Sequence, residues 1–403
     1  MSIKGKAYVA GVWEHPLRDI PHLSTAQVHA ECARGALEDA GLSFDDVDAY
    51  FCAGDSPGGV MGMSDYLGLK LKHMDGTDSG GSSYIIHAGH AAEAIAAGKC
   101  KVALITLAGR PLGSRANPGE RQQSGDRSNA ASRGGGRGGS SENPEAGFEG
   151  MWGGSTHNNY GMCAMRHMYE FGTTSEQLAW IKVAASHHAQ WNEHAMLRQV
   201  VTVEDVLASP IIADPLHRMD CCVISDGGGA VVMVAPEVAK SLKRPLVKVI
   251  GHGEAPKGPR GGRNLDLTFS GAVWSGPPAW EEAGVKPSDI KYASIYDSFT
   301  ITVLMQLEDL GFCAKGEGGR FVADGNLISG VGKLPFNTDG GGLCSNHPAN
   351  RGGITKIIEA VRQLRGEAHP AVQVKNCDLA IAHGTGGSLG TRHCGSTVIL
   401  ERE

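Results

Sequence analysis

Residues 36–48 read ALEDAGLSFDDVD, and residues 279–291 read AWEEAGVKPSDIK. In each stretch, small and acidic residues ending in Ala-Gly read as the last turn of an amphipathic helix closed by a glycine C-cap. Glycine enters the left-handed conformation that a helix end requires without a steric penalty. A short turn carrying an Asp follows, then an apolar strand, expected at Ala49–Ala53 in the first copy and at Ala293–Tyr296 in the second. Each half repeats a second pattern of helix, Gly or Asn, and buried strand. Gly98 leads into Val102–Leu107, and Asn376 leads into Leu379–Ala382. Continuous apolar strands alternating with helices imply a mixed or parallel sheet covered on both faces. Two halves of this kind imply a duplicated α/β architecture. The alternative is two unrelated helix ends of similar composition.

Working outward, 403 residues with 41% hydrophobic content suffice for two or three domains, or one large composite α/β unit, with a sizeable core. Fifty-eight glycines are about twice the usual share, without a collagen period, so they serve turns, close packing or backbone approach to a ligand. The net charge of −6 leaves no basic footprint for nucleic acid or an anionic membrane. No apolar run reaches the ~18 residues of a bilayer span, and the first residues turn charged too soon for a signal peptide. Ten cysteines without CxxC spacing read as reduced thiols, and the expected location is the cytoplasm.

Residues 113–147 are Gly/Ser/Arg-rich and read as a mobile surface loop outside any core. Residues 174–206 read as helices, and 222–234 (CVISDGGGAVVMV) as a Gly-rich turn before a buried strand. The expected division is an N-terminal half (1–112 plus 222–240), a loop and helical region (113–221), and a C-terminal half (241–403). His187, His188 and His194 lack HExxH spacing and read as a solvated helix face rather than a zinc site. GGGRGG follows no strand and precedes no GK[ST], so it is not a phosphate loop. No metal site is expected.

Four Gly-flanked polar segments carry candidate chemistry. The first, Asp78–Tyr84 (DSGGSSY), opens an apolar helix whose serines can cap it and whose N-terminal amides can hold an oxyanion. The others are Tyr296-Asp297-Ser298-Phe299, residues 337–348 (NTDGGGLCSNHP), and His383-Gly384-Thr385-Gly386-Gly387.

With these segments in place, the chain resembles the thiolase superfamily, in its sterol-carrier-protein-2 (lipid-transfer) branch. The resemblance rests on YDSF, EDLGFCAKGEGGRF (308–321), NTDGGGLCSNHP, EAVRQLRG (359–366) and HGTGG in the second half. GGSSY and SDGGGAVV (225–232) carry it in the first. It implies an α/β, five-layer αβαβα fold from two duplicated halves with a small loop and helical insertion, assembled as a homodimer. It also implies an acyl-CoA substrate, with coenzyme A present as part of the substrate and no covalently bound cofactor.

The departures bear on mechanism. Thiolases form a thioester on a Cys at the start of the buried helix; that position here is Gly81, and Cys100 lies beyond the helix. Where lipid-transfer thiolases read His-Asp-Cys-Phe, this chain has Tyr296-Asp297-Ser298-Phe299, and His383 stands where many thiolases place a second Cys. His347 of the His-Pro motif matches directly. Ser82 or Ser83 as nucleophile would need a well-placed base. The resemblance therefore implies retro-aldol cleavage of a β-hydroxyacyl-CoA, with Tyr296 and Asp297 in a proton relay and His347 or His383 as base or enolate donor. Gly81, Ser82, Ser83, Gly341, Gly342, Asn346, Gly386 and Gly387 are expected to line the substrate site. Two other readings stay open: acetyl-CoA acetyltransferase-type transfer by a non-Cys route, and a non-catalytic subunit. Relatives of this branch pair with a small zinc-ribbon/OB-fold DUF35 protein, a possible partner.

Overall fold

The computed structural model describes residues 2–54, 56–113, 155–257, 266–348, 352–387, 389 and 393–403. Of the loop expected at 113–147, all but Gly113 lies outside them. The strands are β1 (Tyr8–Glu14), β2 (Ala49–Phe51), β3 (His73–Asp75), β4 (Val102–Gly109), β5 (Ile211–Ala213), β6 (Leu216–His217), β7 (Gly227–Val234), β8 (Val247–Lys257), β9 (Tyr292–Ile295), β10 (Leu379–Gly387) and β11 (His393–Arg402). The helices that matter are α1 (Thr25–Ala40), α2 (Ser83–Ala96), α3 (Thr156–Phe171), α4 (Ser175–Ala189), α5 (Ala272–Ala283), α6 (Thr300–Asp309), α7 (Gly341–Cys344) and α8 (Gly353–Arg365).

Nine strands join in the order β3-β2-β4-β7-β1-β8-β11-β10-β9. Read outward from the central β1·β8 pair, the order is the same twice. β1 pairs antiparallel with β7, β7 antiparallel with β4, and β4 parallel with β2. In the other direction β8 pairs antiparallel with β11, β11 antiparallel with β10, and β10 parallel with β9.

The two quoted stretches sit at matching places in this repeat. α1 ends on Gly41 (φ 71°) and α5 on Gly284 (φ 69°), both left-handed caps. Each cap is followed by a 3₁₀ turn, Phe44–Asp46 and Pro287–Asp289, and then by β2 or β9. The packing repeats too. A Cβ on Gly11 of β1 would strike the Ala36 carbonyl of α1, and one on Gly251 of β8 would strike the Ala279 carbonyl of α5. Glycine at these two strand positions lets each helix lie directly on its sheet.

Alternation along the strands sorts their side chains into three cores. The inner faces of both half-sheets enclose α2 and α8, with Ile85, Ala88, Ile357 and Val361 meeting Phe51, Ile105, Tyr292 and Ala382. α1 covers the outer face of the first half, against Tyr50, Leu104 and Val232. α3, α4, α5 and α6 cover the outer face of the second, against Ile250, Ile295, Ile381 and Ile399. The layering is therefore αβαβα.

Three local expectations change. The glycines of SDGGG begin strand β7 rather than a turn, because Gly228 and Gly229 pack against the Leu107 carbonyl and Ile358. Residues 190–202 break the run of helix expected at 174–206. His188 is buried, its Nε2 accepting the Ser329 amide at 2.9 Å, rather than on a solvated face. No helix among the described residues is long and apolar enough to cross a membrane.

Candidate active site

Tyr296 follows directly on β9, its amide bonded to the His383 carbonyl at 3.0 Å. Tyr292 belongs to the central core, whereas Ala293 and Ile295 belong to the outer one. Period-two alternation therefore turns Tyr296 inward, towards the start of α2. Its hydroxyl lies 3.0 Å from His347 Nε2, and the Gly352 amide also reaches it. The two rings meet edge to face at 5.6 Å. Both residues are buried. Burial holds His347 down to about 4, with Lys356 pushing the same way and Asp297 opposing. Burial first, and then the nearby Cys222 and Tyr160, push the Tyr296 phenol well above its ordinary value. At neutral pH the site thus holds a neutral imidazole against an intact phenol, a pair able to pass one proton between them.

Gly81 lies against the Tyr296 ring. A Cβ there would stand 2.5 Å from Tyr296 Cε2, and closer still to Cζ and to the Thr385 carbonyl oxygen. Any side chain at position 81 therefore requires the space that the Tyr296 ring fills. Two helices begin here. α2 starts beside Ser82 and α8 beside Gly352, neither with a side-chain cap. A Cβ on Gly353 would strike the Gly81 carbonyl, so the two N-termini converge. The aligned dipoles of the two helices favour negative charge at this point.

The other expected residues divide. Gly386 packs on the Ser79 carbonyl, and the Gly387 amide lies 3.1 Å from where a Gly80 Cβ would be, so both join the Gly81 loop. Ser82 and Ser83 also lie in it, but neither caps α2. Ser82 Oγ donates to the Ser79 carbonyl at 3.2 Å, and Ser83 Oγ to the Gly80 carbonyl at 2.7 Å. Asp297 is not beside the Tyr296 hydroxyl in a relay. Its carboxylate accepts the Gly342 and Leu343 amides at 2.9 and 3.1 Å and pairs with Lys356 at 2.7 Å. Gly341 and Gly342 exist to admit that carboxylate, since a Cβ at either would crowd it. Asn346 spends both ends of its amide internally, on Glu14 and Ser225.

His383 belongs elsewhere. It faces the outer core, Nδ1 at 2.8 Å from Thr397 Oγ1, while the inward residue of β10 is Gly384, against Ser82 and the Gly81 carbonyl. The tract HGTGG is strand to its last residue, so its alternation decides the facing. His383 and Tyr296 thus lie on opposite faces of the sheet.

Several neighbours had no local signal. Tyr160 of α3 stacks on Phe299 at 4.2 Å and reaches the Ser298 hydroxyl. The Cys222 amide donates to the Ser298 carbonyl at 2.9 Å. All ten cysteines are free thiols, and burial pushes Cys222 upward, away from thiolate character. No group of three or more His, Cys, Asp or Glu side chains among the described residues is arranged to hold a metal ion.

The family described as "Thiolase C-terminal domain-like" matches residues 253–402. The chain is 38% identical over 58% of its length to an acetyl-CoA acetyltransferase of Methanothermobacter thermautotrophicus, spanning 60% of that protein. It is 33% identical to the 17-hydroxy-3-oxo-4-pregnene-20-carboxyl-CoA lyase of Mycobacterium tuberculosis over 95% of this chain and 97% of the lyase. The chain belongs to the thiolase superfamily. Its place is in the sterol-carrier-protein-2-like branch, next to that branch's aldolases and lyases. Among solved structures, the Ltp2-ChsH2(DUF35) aldolase superposes with a TM-score of 0.83 at 29% identity, covering 99% of this chain and 98% of that one. The chain thus spans about three fifths of the acetyltransferase and nearly all of the lyase. At the start of the first central helix stands Gly81, with the Tyr296 ring from the second half packed against it.

Proposed function

We propose that the chain cleaves the Cα–Cβ bond of a β-hydroxyacyl-CoA by a retro-aldol reaction, without an acyl-enzyme. The observation that carries this reading is the Tyr296 ring against Gly81, which leaves no side chain and no room for a thioester there. A phenol hydrogen-bonded to a neutral imidazole stands in its place. The activities of the lyase and aldolase relatives support the same class of reaction.

In the proposed sequence, the substrate β-hydroxyl gives its proton to Tyr296 Oη as the phenol proton passes to His347. The Cα–Cβ electrons move to Cα, releasing a ketone or aldehyde and leaving the thioester enolate. The convergent amides at the starts of α2 and α8 hold its oxyanion, and the proton on His347 returns through Tyr296 to Cα. A single oxyanion donor is typically worth about 2.7–4 kcal/mol of barrier.

Coenzyme A enters as part of the substrate, with Gly386 and Gly387 beside the Gly81 loop as its backbone walls. A DUF35-type partner is proposed by analogy with the assembly named in the Ltp2-ChsH2 structure. A homodimer is proposed through β3, the edge strand of the first half, where Met61 and Met74 line an open cavity of about 420 Å³. The cytoplasm is the proposed location.

Incubation with β-hydroxyacyl-CoA and β-ketoacyl-CoA, with and without a DUF35 partner, tests the reading. Ketone or aldehyde release independent of free CoA is expected. Cleavage that requires free CoA would establish acyl transfer instead, and turnover of neither substrate with CoA still bound would leave the silent subunit.

A further inference from the structure

The SDG segment has no part in the proposed reaction, yet it is bonded to the loops that carry Tyr296 and His347. The Cys222 amide donates to the Ser298 carbonyl at 2.9 Å, and the Val223 amide to the Gly342 carbonyl at 2.9 Å. Ser225 Oγ accepts the His347 amide at 2.9 Å and donates to Asn346 Oδ1 at 2.8 Å. The Ser225 backbone also forms a parallel bridge with Pro348. At its far end the segment is tied to the first half: Asp226 accepts the amides of Ile20 and Leu112 at 2.9 and 2.8 Å, and that of Gly113.

The chain of bonds continues beyond Ser225. Asn346 Nδ2 donates to Glu14 Oε1 at 2.8 Å, and Glu14 is held in turn by Arg18 at 2.8 Å and Arg362 at 3.2 Å. The Asn346 amide is thereby oriented unambiguously, with its oxygen towards Ser225, because a carboxylate can only accept. The Ser225 hydroxyl must then donate to Asn346, which leaves its lone pair for the His347 amide. Ser225, Asn346 and Glu14 are all buried, so no water competes for these bonds. An unbroken, directionally determined path leads from β1 to the backbone of His347, the residue whose ring meets Tyr296.

We propose that Ser225 is a positioning residue: with Asn346 and Glu14 behind it, its hydroxyl fixes the backbone of His347 so that Nε2 stays within hydrogen-bond reach of the Tyr296 hydroxyl. The proposal rests on the relay assigned to Tyr296 and His347. His347 is also faced by Asp297 and Lys356, which are unaffected by the exchange below.

The test is Ser225→Ala beside Ser225→Thr, read two ways. With a 15N-labelled chain and no substrate, the His347 ring in the native protein is expected to titrate near 4. In Ser225→Ala the loosened ring should titrate upward, towards the ordinary value of about 6.5. With a β-hydroxyacyl-CoA, kcat should fall roughly 10- to 100-fold with KM within about twofold, since about 1 Å of misplacement costs this much. Ser225→Thr, which keeps the hydroxyl, should recover most of both. If Ser225→Ala does not fold, Asn346→Ala tests the same path, leaving the Ser225–His347 bond but freeing the hydroxyl to turn. A folded Ser225→Ala whose His347 titration and kcat both match the native protein overturns the proposal. Because the titration needs no substrate, failure of the native protein to cleave β-hydroxyacyl-CoA would defeat the retro-aldol reading while the positioning role is still decided.

Discussion

Gly81→Ala is the sharpest probe of the site, because one methyl group must share space with the phenol that replaces the nucleophile. The new Cβ would lie 2.5 Å from Tyr296 Cε2, about 1 Å inside an ordinary carbon–carbon contact. The Thr385 carbonyl on its other side belongs to β10, where Thr385 pairs with Gly395 of β11. A ring displaced by about 1 Å is enough to disrupt its 3.0 Å bond to His347. Overpacking of this kind costs about 1–3 kcal/mol, and a buried polar group left unpaired costs about 1–3 kcal/mol more. The expected result is a folded protein destabilised by about 2–5 kcal/mol in urea denaturation, with β-hydroxyacyl-CoA cleavage reduced about 100-fold or more. A double-mutant cycle separates the ring from the carbonyl. In a Tyr296→Ala background only the carbonyl clash persists, so Gly81→Ala should cost at least about 1 kcal/mol less. Additive costs in the two backgrounds, or a Gly81→Ala protein with native stability and turnover, would show that the ring does not occupy the nucleophile's space.

Tyr296→Phe removes only the hydroxyl and should lower kcat by roughly 10²–10⁴-fold without loss of secondary structure by circular dichroism; near-native turnover would remove the phenol from the relay. The pH dependence follows from burial. His29, His87, His188, His252, His347, His383 and His393 are all held at about 3 to 4 in the folded chain. With folded values below the unfolded value of about 6.5, the unfolded chain takes up protons first. The contribution of these seven histidines should be fully present above pH 6.5 and fall as pH drops towards 4, by up to about 1.4 kcal/mol per unit for each, outweighing Glu359, which burial raises to about 7 and which acts in the opposite sense over that range; urea midpoints at pH 7.5, 6 and 5 measure this. Lys356→Met leaves Asp297 buried without its cation and should cost about 3–5 kcal/mol, seen as a lowered urea midpoint; an unchanged midpoint would mean the pair is not formed.

What could be read in advance followed the range of the forces involved. The helix ends at Gly41 and Gly284 were legible because a C-cap is a local event, decided by one residue and its own helix. The ends of the strands were not. β10 runs on to Gly387 because Gly384 and Gly386 let it press against the Gly80–Ser82 loop, which is distant in sequence. His383 directly follows the strand expected at Leu379–Ala382, and because the strand runs on, its alternation turns His383 outward and Gly384 inward. Tyr296 and His347 stood out by motif. Ser225, Asn346 and Asp297 could be recognised as polar but not as spent, because their partners lie 121, 332 and 59 positions away.

The duplication also explains why the chemistry could change while the frame held. Each half contributes one central helix, and the two N-termini meet at Gly81 and Gly353. The anion-stabilising part of the site is therefore built into the repeat and does not depend on which side chain stands between the helices. An acyl-enzyme needs a side chain on the first helix. A proton relay needs one reaching in from the second half, and both cannot fit, since Gly81 and the Tyr296 ring contend for the same space. On this geometry the choice between acyl transfer and carbon–carbon cleavage is steric before it is electronic. Supplying a thiol alone, as in Gly81→Cys, should therefore yield neither activity until Tyr296 is also reduced in size. Mass spectrometry after incubation with an acyl-CoA should find no acyl adduct on the single variant. An acylated Gly81→Cys protein with Tyr296 intact would show that the two groups do fit together.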